Sequence, residues 1–315
     1  MSLIKVLILA IVQGLAELLP VSSSAHVVVA EKLLGMDPSS PEMTLLLVML
    51  HTGTMFAVIV YFWNQWKRTY FAGADAFKRF VVRSVWATAL TAVIGYPIIK
   101  VIEHYERYKI DFGAASTALP CSYQHGDIEA LFSRLDIVAP ALLAAGLLIL
   151  FAGLRQRNAE SRKAAGYERS ASRSGDNVTF GQAGWMGAVQ GLCLPFRGFS
   201  RSGATISTGL LTGATRERAE RFSFALAVII TPLAIGREAL RLHRAAQDAA
   251  TGCVVHLDVH GSILYALIGM VFAFFAGLAA LKWVSAWLES GKWYLFGIYC
   301  LLASVVVYCL HLKGY

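Results

Sequence analysis

Residues 12–26 read VQGLAELLPVSSSAH and residues 189–203 read VQGLCLPFRGFSRSG. Both open on Val-Gln-Gly-Leu, and both run through a proline into a cluster of serines. Each sits inside an otherwise apolar stretch, 4–30 and 180–211. Each is followed by three further apolar runs: 43–63, 80–102 and 137–154 after the first, 222–235, 263–287 and 293–312 after the second. The chain is therefore an internal repeat of four plus four apolar regions. Most of them have the roughly 20 residues that a membrane-crossing helix needs. The run 222–235 is short and is expected to extend through its polar flanks.

Composition agrees with a membrane protein. Of 315 residues, 57% are hydrophobic and only 15% charged, with a mean hydropathy of +0.57; soluble domains carry about 25% charged residues. Backbone groups at membrane depth must bond to one another, so the runs are read as helices. The start, with Lys5 and an apolar stretch, has the outline of a signal peptide. It lacks the usual small-residue cleavage site, and Gln13 and Glu17 interrupt it, so it is read as part of the mature fold. The net charge of +8 does not point to nucleic acid, because the basic residues fall in short connections and no nucleic-acid module accompanies them.

Those connections set an orientation. Lys67, Arg68, Lys78 and Arg79 follow the second region, and Arg155, Arg157, Arg162, Lys163, Arg169 and Arg173 follow the fourth. Between them lies a stretch with Glu103, Glu106, Asp111, Asp127 and Glu129 against Arg107 and Lys109. The positive-inside rule puts the two basic loops in the cytoplasm and the acidic one outside.

The two Val-Gln-Gly-Leu regions admit two readings. Each is one span kinked at proline, or each is a re-entrant hairpin that turns back at mid-membrane, where irregular backbone must line a cavity. In the second case the halves are inverted and the serine clusters meet near the midplane. Arg216, Arg218 and Arg221 favour hairpins, whereas Arg237, Arg241 and Arg244 favour spans. An arginine at a span centre costs at least ~2.5 kcal/mol, and the second region holds both Arg197 and Arg201, which tilts the choice to hairpins. The expected fold is all-α: a polytopic membrane protein with an inverted repeat, two re-entrant hairpins and about six transmembrane helices. The first repeat is 1–154, a cytoplasmic linker 155–178, the second repeat 179–315.

Several residues in these regions can carry chemistry. Gln13 and Glu17 share a helix face, and a carboxylate at membrane depth marks a functional site by default. Glu17 can hold a divalent cation, which prefers oxygen ligands, or orient His26. Ser22, Ser23 and Ser24 are N-cap candidates, and the helix N-terminus they would cap also favours phosphate. His26 beside them is a candidate acid, base or nucleophile. In the stretch 198–205, Arg201 offers a planar fork for phosphate. Ser200, Ser202 and Thr205 flank it at the start of a second helix, with Arg197 just upstream. Two helix ends, an arginine, hydroxyls and a carboxylate around one diphosphate would suit phosphoryl transfer, which is mostly positioning and charge stabilisation. His51 and the threonines beside it fit cavity lining, capping or packing equally well. His104, His125, His243, His256 and His260 read as solvated. The five cysteines form no CxxC pair, so a structural zinc site is not expected. Cys300 and Cys309 read as buried, and Cys121 with Cys253 is a candidate disulfide on the outer side.

Gln13-x-x-x-Glu17 with Leu-Pro-Val-Ser-Ser-Ser-Ala-His26 resembles the acidic motif of the undecaprenyl-diphosphate phosphatases, the bacitracin-resistance family. Gly198-Phe-Ser-Arg-Ser-Gly-Ala-Thr205 resembles its second motif, and residues 221–227, RFSFALA, also look like the family. The resemblance covers nearly the whole chain. It implies hydrolysis of undecaprenyl diphosphate to the monophosphate and inorganic phosphate, at the periplasmic side of the bacterial inner membrane. That reaction recycles the lipid carrier of cell-wall synthesis and gives bacitracin tolerance. It implies catalytic roles for Glu17, His26, Arg201 and Ser23. It also implies substrate contacts at Ser200, Ser202 and Thr205 and a divalent cation, Mg or Ca, for which Glu17 is the candidate ligand; Gln13, Ser22 and Arg197 are further candidates for the diphosphate by their position, with the lipid headgroup as the alternative for Arg197. A homodimer is compatible with it. The chain departs from the family pattern at Pro195-Phe-Arg197-Gly198, where proline and glycine are usually adjacent, and at Gln13, where a second carboxylate is common. The alternatives are a polyprenyl-phosphate transporter or flippase using the same anion site, and a phosphatase of the phosphatidic-acid type, whose motif set is missing here.

Overall fold

The computed structural model describes residues 2–38, 40–112, 134–164, 177–250, 259–288 and 292–314. Two proline-serine segments interrupt helices in it. α1 (Leu3–Glu17) stops before Pro20 and α2 (Ser23–Leu33) starts after it. α6 (Phe180–Cys193) stops before Pro195 and α7 (Arg201–Leu211) starts after it. Proline alone does not decide this, because Pro97, Pro140 and Pro232 lie inside helices. What distinguishes the breaks is proline joined to serines and, in the second, to Gly198, whose backbone is left-handed at φ 104°.

At 1.5 Å per residue, none of these four helices exceeds about 23 Å, short of the ~30 Å apolar core of a bilayer. The long helices are α3 (Pro41–Thr69), α4 (Ala74–Phe112), α5 (Leu135–Ala164), α8 (Arg216–Ala250), α9 (Val259–Leu288) and α10 (Trp293–Leu312). All six contain a segment long and apolar enough to cross a membrane. The short run 222–235 does extend through its flanks, into the candidate span Arg216–Arg241. The protein is a multi-pass, all-helical membrane protein.

Each short pair folds back on itself. Lys5 Nζ at the start of α1 donates to the Leu34 carbonyl just past the end of α2, 2.7 Å. Gln182 Nε2 at the start of α6 donates to the Thr212 carbonyl just past α7, 3.1 Å. The same Gln182 closes a capping box with Thr179, which fixes where α6 begins. The pairs are also exchanged between the halves of the chain: α1 packs on α9, and α6 on α4. Small residues permit both contacts. A Cβ on Gly14 would lie 2.4 Å from the Ala276 methyl, and one on Gly187 would lie 2.2 Å from the Ala87 carbonyl oxygen. In lipid, such close backbone approach supplies much of the packing energy.

α3 and α8 run antiparallel. Arg221 Nη1 near the start of α8 donates to Thr69 Oγ1 at the end of α3, and Arg241 Nη1 donates to Thr44 Oγ1 near its start, each at 2.8 Å. Large apolar side chains cover the outside, Leu233 at 76% exposure and Ile4 at 71% among them. Cys309 belongs to this outer surface and is exposed rather than buried, whereas Cys300 is buried. An apolar run does not separate core from lipid contact, since both are apolar. His104, His243 and His260 are exposed as expected, but they sit on helices. Cys121, Cys253, His125 and His256 lie outside the described residues.

Candidate active site

The tips of the two folded-back pairs meet. Arg201, the first residue of α7, donates from Nη2 to Glu17 Oε1 at the end of α1, 2.8 Å, across 184 residues of chain. The two side chains are 19% and 5% exposed. Breaking such a buried pair by removing one partner typically costs 3–5 kcal/mol. Glu17 Oε2 is bound from three directions. Gln13 Nε2 donates to it at 3.0 Å, Ser23 Oγ makes a short hydrogen bond to it, and His51 Nδ1 lies 3.2 Å away. Gln13 and Glu17 sit one helical turn apart on α1, as their spacing predicts. His51 comes from α3 and also approaches Gln13 Nε2, at 3.5 Å.

Two buried polar atoms here have no hydrogen-bond partner: Arg201 Nη1, a donor, and Gln13 Oε1, an acceptor. Buried polar atoms are nearly always satisfied, so an unmet donor and acceptor beside one carboxylate mark a place for a ligand. The start of α2 adds to this. Its N-cap residue, Ser22, makes no side-chain cap, so the first-turn N–H groups of α2 remain available to an anion. Ser22 is also the one non-glycine residue with a left-handed backbone among the described residues, at φ 68°. Its carbonyl is turned onto the His26 ring, with Nδ1 at 2.8 Å.

His26 does not reach Glu17. Its Nε2 lies 2.7 Å from the Tyr299 hydroxyl on α10; His51 rather than His26 sits at the carboxylate, so Glu17 does not orient His26 directly. The remaining expected residues divide. Ser200 Oγ caps α7, accepting from the Gly203 N–H at 3.1 Å. Thr205 Oγ1 is 2.8 Å from the Arg201 carbonyl and 2.6 Å from Ser223 Oγ on α8, which ties the arginine's turn to the next helix. Ser202 is buried in the same turn. Arg197 acts electrostatically on Glu31, further along α2 and fully buried, rather than being bonded to the Glu17 cluster. Gly198 is pressed against Val138 at the start of α5, where an added Cβ would lie 2.5 Å from the Val138 carbonyl oxygen.

His51 is the residue for which cavity lining, capping and packing stood level, and the fold puts it at the carboxylate. Ser223 lies in the family-like stretch 221–227 without a role of its own in the sequence, and Tyr299 lies in an apolar run with no local signal, so only the fold brings it here.

These features define a polytopic membrane protein with a buried acid–arginine pair where two interrupted helices meet. The chain belongs to the bacitracin-resistance family: the family model described as "Bacitracin resistance protein BacA" matches residues 6–306. It is 53% identical over 307 residues to the undecaprenyl-diphosphatase 2 of Acinetobacter baylyi, covering 98% of this chain and 97% of the relative. It is 33% identical to the undecaprenyl-diphosphatase of Desulfatibacillum aliphaticivorans, covering 98% of each. The undecaprenyl-diphosphatase of Rhodopirellula baltica is 30% identical over 99% of each chain.

Proposed function

We propose that this chain is an undecaprenyl-diphosphate phosphatase, which releases inorganic phosphate from undecaprenyl diphosphate and returns the monophosphate carrier to cell-wall synthesis, with bacitracin tolerance as a consequence. The observation that carries the reading is the unmet Arg201 Nη1 donor beside the Glu17–Ser23 pair, in a chain whose full-length relatives bear that activity as their name.

In this reading the diphosphate lies against Arg201 Nη1 and the open N-terminus of α2. Both favour anions, and both act in a site with little water to compete. Ser23 is the hydroxyl in position. Its Oγ attacks the terminal phosphorus, the bond from phosphorus to the bridging oxygen breaks, and undecaprenyl phosphate leaves. The hydroxyl proton passes to Glu17. Water then attacks the phosphoserine and its proton goes to His26; the bond from phosphorus to the Ser23 oxygen breaks, Glu17 returns its proton to that oxygen, and inorganic phosphate departs. His51 and Gln13 hold Glu17 in place throughout.

The family implies a divalent cation. Gln13 Oε1 and the Glu17 carboxylate fit a hard, oxygen-preferring ion. Among the described residues no group of three His, Cys, Asp or Glu forms a ready cage, so diphosphate oxygens would complete the shell. When bound, such an ion neutralises charge on the phosphate oxygens.

The folded-back pairs are read as re-entrant hairpins, in an inverted repeat of residues 1–154 and 179–315. The site is assigned to the periplasmic half of the inner membrane. Two observations support that side. His51 lies about 15 Å along α3 from its start and about 27 Å from its end. The end of α3 carries Lys67 and Arg68, the charges that remain in the cytoplasm.

The test is phosphate release from a long-chain polyprenyl diphosphate by detergent-purified protein, with Glu17→Ala and Arg201→Ala alongside and EDTA as a control. Turnover abolished by both substitutions in folded protein supports the reading. A folded wild type that releases no phosphate with any of several divalent ions overturns it and leaves lipid-phosphate transport to be measured. Native mass spectrometry of the same preparation tests a homodimer.

A further inference from the structure

Two consecutive residues of α10 hold the first helix break. Cys300 is buried, and its Sγ lies 3.6 Å from the Pro20 carbonyl oxygen. Tyr299 beside it is 46% exposed, yet its hydroxyl is 2.7 Å from His26 Nε2. The two rings are nearly parallel, 10° apart in plane with centroids at 5.7 Å. α10 is a firm support for this contact. It lies against α5 so closely that a Cβ on Gly297 would be 2.5 Å from the Leu150 backbone nitrogen.

The hydrogen bonds fix the state of the histidine. The Ser22 carbonyl only accepts, so His26 Nδ1 carries a proton and donates it there. In the neutral ring Nε2 is then an acceptor, and the Tyr299 O–H donates to it. The basic nitrogen of His26 is thus held by a side chain whose other face meets the membrane. Glu17 and Arg201 are almost enclosed, at 5% and 19% exposure, whereas Tyr299, bonded to His26 of the same tip, is half-exposed on a candidate span.

We propose that Tyr299 is a positioning residue for His26, and that it marks a lateral entrance between α2 and α10. There the polyprenyl chain stays in the bilayer while the diphosphate reaches Glu17 and Arg201. The nature of the substrate rests on the phosphatase reading; the His26 contact does not. During turnover, water takes the place of the Tyr299 hydroxyl at Nε2. It gives its proton there as its oxygen bonds to phosphorus and the Ser23 ester bond breaks.

Three measurements test this. In histidine-labelled protein, with the His26 signal identified by its loss in His26→Gln, Tyr299→Phe moves the Nε2 15N resonance toward that of an unbonded ring nitrogen. In turnover, Tyr299→Phe removes a bond that must break before water reaches Nε2, so it raises kcat by up to about tenfold, the worth of one hydrogen bond, and leaves KM within about twofold, whereas Tyr299→Ala, which also removes the stacked ring, lowers kcat and raises KM. A benzoylphenylalanine at position 299 is photo-crosslinked by polyprenyl diphosphate, and one at Val93, 67% exposed on α4, stays at background. An unmoved 15N signal in folded Tyr299→Phe overturns the positioning role, and equal labelling at the two positions overturns the entrance. If wild type releases no phosphate, the kinetic arm fails with the phosphatase reading, and the 15N arm still decides the contact.

Discussion

The two helix breaks share a chain order, proline and then serines, and use it in opposite ways. At the second break Ser200 turns inward and caps α7, while Thr205 locks that turn to α8 through Ser223. The Ser200 and Thr205 hydroxyls are bonded within that tip and its neighbouring helix, and the Arg201 guanidinium crosses to the other tip. At the first break Ser22 adopts a left-handed backbone and caps nothing, which leaves the α2 N-terminus open, and Ser23 is bonded to Glu17. Related sequences are used differently: one tip mounts Arg201, and the other carries Glu17 with Ser23 bonded to it and an uncapped helix start. An internal repeat therefore does not imply two equivalent half-sites.

Breaking the bridge between the tips gives the largest expected effect. Glu17→Gln keeps the volume of the side chain but removes the charge that Arg201, Ser23 and Gln13 all meet. It is expected to lower kcat/KM by about 10³-fold or more, measured as phosphate release from protein with an unchanged melting curve. Ser23→Ala is expected to abolish turnover to a similar degree and to abolish 32P incorporation from a terminally labelled substrate, while Ser200→Ala retains incorporation. Equal losses at Ser23 and Ser200 would erase the contrast drawn between the tips.

Stability should separate the tips in the other direction. Gly198→Ala forces a Cβ onto the Val138 carbonyl at a left-handed φ, so a loss of about 2–3 kcal/mol is expected in detergent unfolding. A smaller change tests the unmet acceptor. Gln13→Glu should lower the divalent ion concentration for half-maximal activity by about tenfold, since ligand charge sets affinity at oxygen sites. The smallest effect belongs to the caps. Ser200→Ala should cost about 1 kcal/mol, whereas Ser22→Ala, which removes no cap bond, should leave unfolding unchanged.

Much of the site was legible because its residues are improbable where they stand. Glu17 and Arg201 in apolar stretches, Gln13 one turn from Glu17, and serines after Pro20 are all local signals. His26 shows the limit of such reasoning, because adjacency to Glu17 in sequence did not bring the two side chains into contact.

The sequence by itself determined the helical, membrane-spanning class, the two breaks and the polar residues placed at them, since apolar length, proline and intramembrane charge act locally. Only the tertiary structure decided which serine caps and which meets the carboxylate, and that His51 rather than His26 sits at Glu17. The same holds for Tyr299 at His26. Those outcomes depend on how α3, α8 and α10 pack around the tips. Packing in lipid is set by close approach of small residues on different helices, and no single stretch of sequence encodes that approach.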